Sequence, residues 1–374
     1  MDERIEAIQR RTAGDPRVIG LAGGLPSEAQ FPKRELANAF FRVLGRAGAP
    51  ALQYGWAEGF ESLRELIASR LRARGASATA GDVIVTSGAQ QAIAIALEVI
   101  CRPGDRVGVA PETYPAALDL LRERRLVPVA SVAGVRAHYA MPALGNPSGE
   151  RLAAGAREAL LAGGMPIIED DAYADLRFDG TAPPPLLADA PDQVFHVGTL
   201  SKTLCPGLRI GWLVTPARVR KRALRIKQGS DLQASSLAQA IVEDLLGAAR
   251  AQAGLDFEAR LVRLRRLYRA RASALARALR AHLPEWRFSE PEGGFSIWAR
   301  ADRVVPEVDE KALLHAAAEE GVMLDPGSVF RANRAVAPIA MRLCFSAAPP
   351  ASFDEGIRRL ARAWRRVTRA RLVA

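Results

Sequence analysis

Short apolar runs alternate along residues 83–214 with stretches in which apolar side chains return every three or four positions. The first pattern predicts buried strands and the second amphipathic helices. Strands are expected at 83–86, 106–110, 127–132, 137–142, 166–169, 194–197 and 208–214, with helices at 89–100 and 115–124. Helices then dominate 216–282, including a long one around 230–280 that joins two parts of the chain. The tail carries strands near 295–300 and 339–345 and a helix near 309–320, the pattern of a smaller α+β unit. Residues 1–44 begin polar and helical. They then pass through Val18-Ile-Gly-Leu-Ala-Gly-Gly-Leu-Pro26, an extended piece ending in a Gly/Pro turn. Strands separated by helices predict an α/β fold whose sheet is mostly parallel and flanked by helices.

Composition narrows the class. The chain has 374 residues, 49% apolar and 25% charged, enough for two domains of an ordinary globular protein. No apolar run reaches the roughly 18 residues that span a bilayer, and the N-terminus lacks a signal-peptide pattern, so the expected location is cytoplasmic and away from membranes. Cys101, Cys205 and Cys344 are far apart and odd in number, which argues against a disulfide framework. His138, His196, His282 and His315 are scattered without metal-ligand spacing, so no metal is expected. The net charge of +11 raises the question of nucleic acid. Its arginines concentrate in stretches such as 260–271, where apolar residues keep helical spacing. That predicts an amphipathic helix with a solvated basic face, and no nucleic-acid partner.

Candidate chemistry lies at the strand ends, where ligands of open parallel sheets sit. Ser87-Gly-Ala-Gln-Gln91 follows the first strand and opens a helix, presenting free N–H groups and a positive dipole end to an anion. Asn146, in Asn-Pro-Ser-Gly149, follows the strand at 137–142. Asp170 ends the next strand, and Lys202 follows the one after. Each has a plainer explanation: an N-cap, a turn, Asp170 or Asp171 capping a helix, a surface lysine. Their succession does not. Too few residues separate Lys202 from the strand at 208–214 for a parallel crossover. That strand should therefore run antiparallel and carry Arg209 to the same edge. A lysine amine can condense with a carbonyl, while hydroxyls at Thr199 and Ser201 with a guanidinium can hold a phosphate.

In this order the motifs resemble those of class I/II aminotransferases, the fold type I pyridoxal phosphate enzymes. They are most similar to the subgroup of 2-aminoadipate and kynurenine aminotransferases and the aminotransferase-like domain of MocR-type regulators. The resemblance covers Gly23-Gly-Leu-Pro26, Leu52-Gln-Tyr-Gly55, Ser87–Gln91, Pro111-Glu-Thr-Tyr-Pro115, Asn146–Gly149, Glu169–Tyr173, Ser201–Arg209, Pro291-Glu-Gly-Gly-Phe295 and Met341-Arg-Leu343. It implies a seven-stranded, mostly parallel sheet. The domains would be an N-terminal segment at 1–44 joining the small domain, a large cofactor-binding domain at 45–255 and a small domain at 256–374.

The resemblance also assigns roles. Lys202 would form the Schiff base with pyridoxal 5′-phosphate and then shuttle the proton. Asp170 would pair with the pyridine nitrogen, Asn146 and Tyr173 with the phenolic oxygen, and Tyr114 would stack on the ring. The phosphate would meet Ala89 and Gln90 N–H groups, Thr199, Ser201 and Arg209. Tyr54 would reach the phosphate of a neighbouring subunit, which implies a homodimer with shared active sites. Arg342 would grip the substrate α-carboxylate, beside Gly24 and Asn146.

Two departures stand out. Ala89 sits where relatives often carry a hydroxyl. Between the strands at 127–132 and 137–142 the family has a further helical segment, where this chain has only Ala133-Gly-Val-Arg136. The two strands are not sheet neighbours in the family, and a bridge of about seven residues reaches roughly 24 Å, just enough to pass another strand. A thinner, less stable helical layer is expected over that edge. The activity implied is ping-pong amino transfer from an L-amino acid to a 2-oxo acid. The alternatives are a lyase or racemase on the same scaffold, or a MocR-like regulatory module. The last loses ground because no winged-helix region precedes these motifs.

Overall fold

The computed structural model describes residues 15, 17–180, 182–247, 255–301, 309–333 and 338–369. The helix expected at the start of the chain lies outside them. From the N-terminal side the elements are β1 (Ile19–Leu21), α1 (Lys33–Leu52), α2 (Glu61–Ala73), β2 (Val83–Thr86), α3 (Ala89–Ile100), β3 (Arg106–Gly108), α4 (Pro115–Glu123), β4 (Val127–Val129) and β5 (Ala137–Ala140). There follow α5 (Ala154–Ala162), β6 (Ile167–Asp170), α6 (Leu186–Asp189), β7 (Val194–Thr199), β8 (Gly211–Val214), α7 (Arg220–Asp231), α8 (Ser236–Leu246) and α9 (Phe257–His282). The last are β9 (Trp286–Phe288), β10 (Ser296–Ala301), α10 (Glu310–Glu319), β11 (Val322–Pro326), β12 (Ala340–Cys344) and α11 (Phe353–Arg369).

Strands β2 to β8 form one sheet in the order β2-β8-β7-β6-β5-β3-β4. All are parallel except β8, which runs antiparallel to both β2 and β7. Both faces are covered, which is why the strands are near-continuous apolar runs. Ile84 packs with Ile93, Leu97 and Phe195 on one face, while Val83 and Val85 pack with Leu63, Ile67 and Val242 on the other. The link at 130–136 contains no helix, and β4 and β5 flank β3, so the short bridge does pass over one strand.

A second sheet has the order β1-β11-β12-β10-β9. The extended piece near residue 20 joins it as β1, parallel to β11. Strands β9 and β11 are short and were not among the sequence expectations, nor was helix α11, although Phe353, Ile357, Leu360, Ala361 and Trp364 recur at helical spacing and are buried. Among the described residues, no helix is long and apolar enough to cross a membrane.

Three expectations need correction. The long helix around 230–280 is interrupted: α7 stops at Leu232, whose φ is +60°, and Ser235 caps α8 by accepting the Ala238 N–H. A fresh helix, α9, then starts behind Asp256, which accepts from the Ala259 N–H at 2.9 Å. Arg209 does not lie in a strand. It follows a 3-10 turn at Pro206–Leu208 with φ 53° and ψ 40°, and β8 begins two residues later. Finally, the α9 arginines are not all solvated. Arg260 is buried and donates to the Thr203 and Leu204 carbonyls at 2.7 and 3.2 Å, and Arg271 is buried too. A guanidinium satisfies buried carbonyls that no helix or strand reaches.

Candidate active site

The polar residues at the strand ends converge. Strand alternation sends the three consecutive carboxylates of Glu169, Asp170 and Asp171 in different directions. Glu169 accepts the Leu186 N–H at 2.6 Å and lies 3.0 Å from His196 Nδ1, and Asp171 pairs with Arg74. Asp170 alone faces the other way. Its Oδ2 accepts from the Tyr139 hydroxyl at 2.6 Å and its Oδ1 from the Ala172 N–H at 3.1 Å. Burial pushes its pKa up, against the lowering effect of the Tyr139 and Ala172 hydrogen bonds.

Lys202 follows β7. Its Nζ donates to the Gly24 carbonyl at 3.3 Å and stands 5.4 and 5.7 Å from the Tyr173 and Phe295 ring centres. Burial lowers its pKa, with Tyr114 and Asp170 opposing and Arg342 reinforcing the shift. Tyr114 precedes α4, and burial raises its hydroxyl pKa. Tyr173 is buried with its hydroxyl pKa also pushed up, and its ring meets Phe295 edge-on at 5.4 Å.

At the start of α3, Gly88 has φ +93° and no side chain caps the first N–H groups, which include those of Ala89 and Gln90. Arg209 is held over this end by donating from Nη2 to the Ser87 carbonyl at 3.0 Å. A Cβ on Gly88 would lie 2.6 Å from that Nη2, and one on Gly211 only 2.6 Å from the Gly88 carbonyl carbon. Glycines at both positions let the guanidinium and the helix end approach. Beside them, the Thr199 hydroxyl donates to the Ile210 carbonyl at 2.9 Å and accepts the Ser201 N–H at 3.1 Å, with Ser201 Oγ 3.0 Å away.

Arg342, on β12, closes the group. Its Nη1 donates to Asn146 Oδ1 at 3.0 Å, and its Nε and Nη2 donate to Asp325 Oδ2 at 3.0 and 2.7 Å. Phe330 covers the guanidinium at 4.7 Å. Gly24 packs so close that a Cβ there would lie 3.4 Å from both terminal nitrogens. Tyr54 is not brought to this group; it stands 77% exposed after α1. Sequence reasoning missed Tyr139, Asp325 and Phe330. Tyr139 sits at the end of a strand already identified, so position alone marked it as a candidate.

The chain matches the aminotransferase class I and II family model over residues 16–360. It belongs to the class I and II aminotransferases. The aromatic-amino-acid aminotransferase 1 of Thermococcus litoralis is 33% identical, with 92% of this chain and 87% of that protein covered. The 2-aminoadipate transaminase of Thermus thermophilus is 32% identical, with 93% and 90% covered. A solved structure, the α-aminoadipate aminotransferase of Thermus thermophilus in complex with N-(5′-phosphopyridoxyl)-L-leucine, superposes with a TM-score of 0.85. It is 30% identical, with 98% of this chain and 97% of that one covered.

This aminotransferase therefore has the fold of the type I enzymes and depends on pyridoxal 5′-phosphate. Its residues fit that cofactor. The uncapped helix end at a glycine with positive φ, crossed by Arg209, suits a phosphate. A largely buried amine and a buried carboxylate lie on the neighbouring strand ends.

Proposed function

We propose that this enzyme moves the amino group of an L-amino acid to a 2-oxo acid in two half-reactions that share one site. The observation that carries this reading is the convergence of Lys202, Asp170, Arg209 and Arg342, four residues from three strand ends and the small sheet, in a member of this family. Bound pyridoxal phosphate supplies a carbonyl that accepts amines and a ring that takes up the electron pair left when the substrate Cα–H bond breaks.

The chain's own residues divide the remaining work. Lys202 Nζ would hold the cofactor through its carbonyl and would accept and return the substrate Cα proton. Burial lowers its pKa and so favours the free amine over the ammonium. Asp170, held by the Tyr139 hydroxyl, would pair with the ring nitrogen and keep a proton on it. Asn146 and Tyr173 would donate to the phenolic oxygen, and Tyr114 would cover the ring. The Ala89 and Gln90 N–H groups, Thr199, Ser201 and Arg209 would anchor the phosphate. Arg342, with Gly24 and Asn146 beside it, orients the α-carboxylate.

We assign the domains to 1–44, 45–255 and 256–374, and infer a cytoplasmic homodimer without nucleic-acid partners. Phe41, Leu52, Tyr54 and Trp56 are each more than two-thirds exposed, and this apolar group supports a subunit interface in which Tyr54 serves the neighbouring phosphate. The test is a screen of amino donors against 2-oxoglutarate and pyruvate, following conversion of the bound cofactor to its amine form. A screen in which no donor converts it rules the reading out.

A further inference from the structure

Arg342 comes to its substrate with one edge already taken. A guanidinium offers a carboxylate two bidentate faces, the Nε–Nη2 side and the Nη1–Nη2 end. Asp325 Oδ2 fills the side, at 3.0 and 2.7 Å, and the same oxygen accepts the Gly23 N–H at 2.9 Å. Both side chains of the pair are under a tenth exposed. The end of the fork faces Gly24, whose carbonyl accepts from Lys202. That end, where Nη1 already donates one hydrogen to Asn146 Oδ1 at 3.0 Å, therefore lies on the lysine side, while the charge behind it is already balanced. Register explains the pairing: Asp325 and Arg342 are direct partners across the antiparallel strands β11 and β12.

Resting on the reading of Arg342 as the carboxylate site, we propose that Asp325 is a positioning residue that sets how strongly this site holds a carboxylate. It aims the end of Arg342 at the substrate, and its own negative charge weakens the carboxylate that binds there. Two carboxylates on adjoining edges of one guanidinium stand about 5 Å apart. In a mostly buried site that repulsion weakens binding by at least about tenfold. The consequence is a specificity: amino acids bind loosely, and primary amines lacking a carboxylate are disfavoured less than a bare arginine would disfavour them. Asp325→Asn keeps an oxygen acceptor of the same shape for Nε and Nη2 and removes the charge, while the other carboxylate oxygen becomes an N–H donor.

The experiment titrates cofactor-loaded protein calorimetrically with 3-phenylpropanoate and 4-methylpentanoate, carboxylates that carry no amine. Asp325→Asn should bind both about tenfold more tightly than the wild type. KM for amino acids should fall with kcat changed less than about threefold, and the preference for an amino acid over its decarboxylated amine should rise. A residue that merely supports the fold would lower stability and binding together, so tightening is the distinguishing result. Unchanged or weaker carboxylate binding overturns the proposal. If Asp325→Asn does not fold, Asp325→Ser supplies the same readout. Arg342→Leu separates the two readings. Wild-type carboxylate binding in that variant removes Arg342 from its role. Lost binding there, with no tightening in Asp325→Asn, removes only the role of Asp325.

Discussion

The Tyr139 hydroxyl donates to Asp170 Oδ2 at 2.6 Å, and both groups are buried. Burial disfavours the ionised carboxylate, and this hydrogen bond is the largest effect opposing it. The two therefore act as one unit: β5 lends β6 a donor that favours the charged form of its last residue. Tyr139→Phe removes the donor and leaves the ring, so the Asp170 pKa rises further. The loss of one hydrogen bond to a charged group should lower kcat by about tenfold or more and move the acid limb of the pH–kcat profile upward. A profile that keeps its acid limb would detach Tyr139 from Asp170.

Lys202 gives a stability prediction of definite sign. Burial lowers its pKa, so the folded protein binds that proton less tightly than the unfolded chain. The group's contribution to stability is full above its ordinary value of 10.5 and is lost as pH falls through the lowered folded value. At neutral pH the cofactor-free protein thus carries the cost of burying an amine that binds its proton more tightly in the unfolded chain. Lys202→Met should raise the Tm of cofactor-free protein at pH 7 by ~1–2 °C, with the gain shrinking toward pH 11. The same variant should lose the visible absorbance of bound cofactor. Persistence of that band would show the lysine to be misassigned.

The phosphate end of the site was legible because it is built from local sequence. A glycine, an uncapped helix start and a short return to an antiparallel strand all leave marks within a few residues. The carboxylate end was not. Asp325 lies in Val322-Met-Leu-Asp-Pro326, which reads as the approach to a Pro-Gly turn, and its meaning depends on a strand register with Arg342 that no local pattern encodes. Arg260 misled for the same reason: it occupies an apparently solvated helix face that another part of the chain covers. Helix periodicity tells which face is polar, not what covers it.

Gly88 tests the phosphate cradle. Its φ of +93° disfavours any side chain, and a Cβ would run into the Arg209 guanidinium. Gly88→Ala should cost roughly 1–3 kcal/mol of stability from backbone strain alone. By displacing Arg209 it should also weaken cofactor binding at least tenfold, measured as release of cofactor during dialysis. Loss of stability with full cofactor retention would place the phosphate elsewhere.

Tyr54 makes the subunit arrangement testable by mixing. If it completes the neighbour's phosphate site, Tyr54→Ala and Lys202→Ala proteins are each impaired in every site of their own homodimers. A hybrid dimer regains one intact site, with Lys202 from one subunit and Tyr54 from the other. Unfolding and refolding the two together should recover about one quarter of wild-type activity, since half the dimers are hybrids with one working site of two. Recovery no greater than the average of the separate variants would mean that Tyr54 serves its own subunit or no site at all.

The shortened link at 130–136 sets the last prediction. Strand β4 is partly exposed and pairs with β3 alone, and in α5 only Leu160 is buried. Between them a cavity of about 630 Å³ opens, lined by Val109, Val132, His138, Met141 and Leu160 among others. A helix in the link would add apolar contacts over this edge; without one, β4 is held by its backbone hydrogen bonds to β3 and, on its flank, by the preceding helix α4. Local opening should therefore cost much less here than in β6 and β7, whose residues are all buried. The amides of Val127 and Val129 should exchange with deuterium at least about tenfold faster than those of 167–170 and 194–199. Tyr139 lies on β5, at the inner wall of the cavity, and its bond to Asp170 ties β5 to β6. Protection should consequently recover at β5, so that opening stops short of the cofactor site. Equal protection across all three regions would mean that the short link costs the sheet nothing, and a low value extending into β5 would mean that the edge disturbs Asp170 itself.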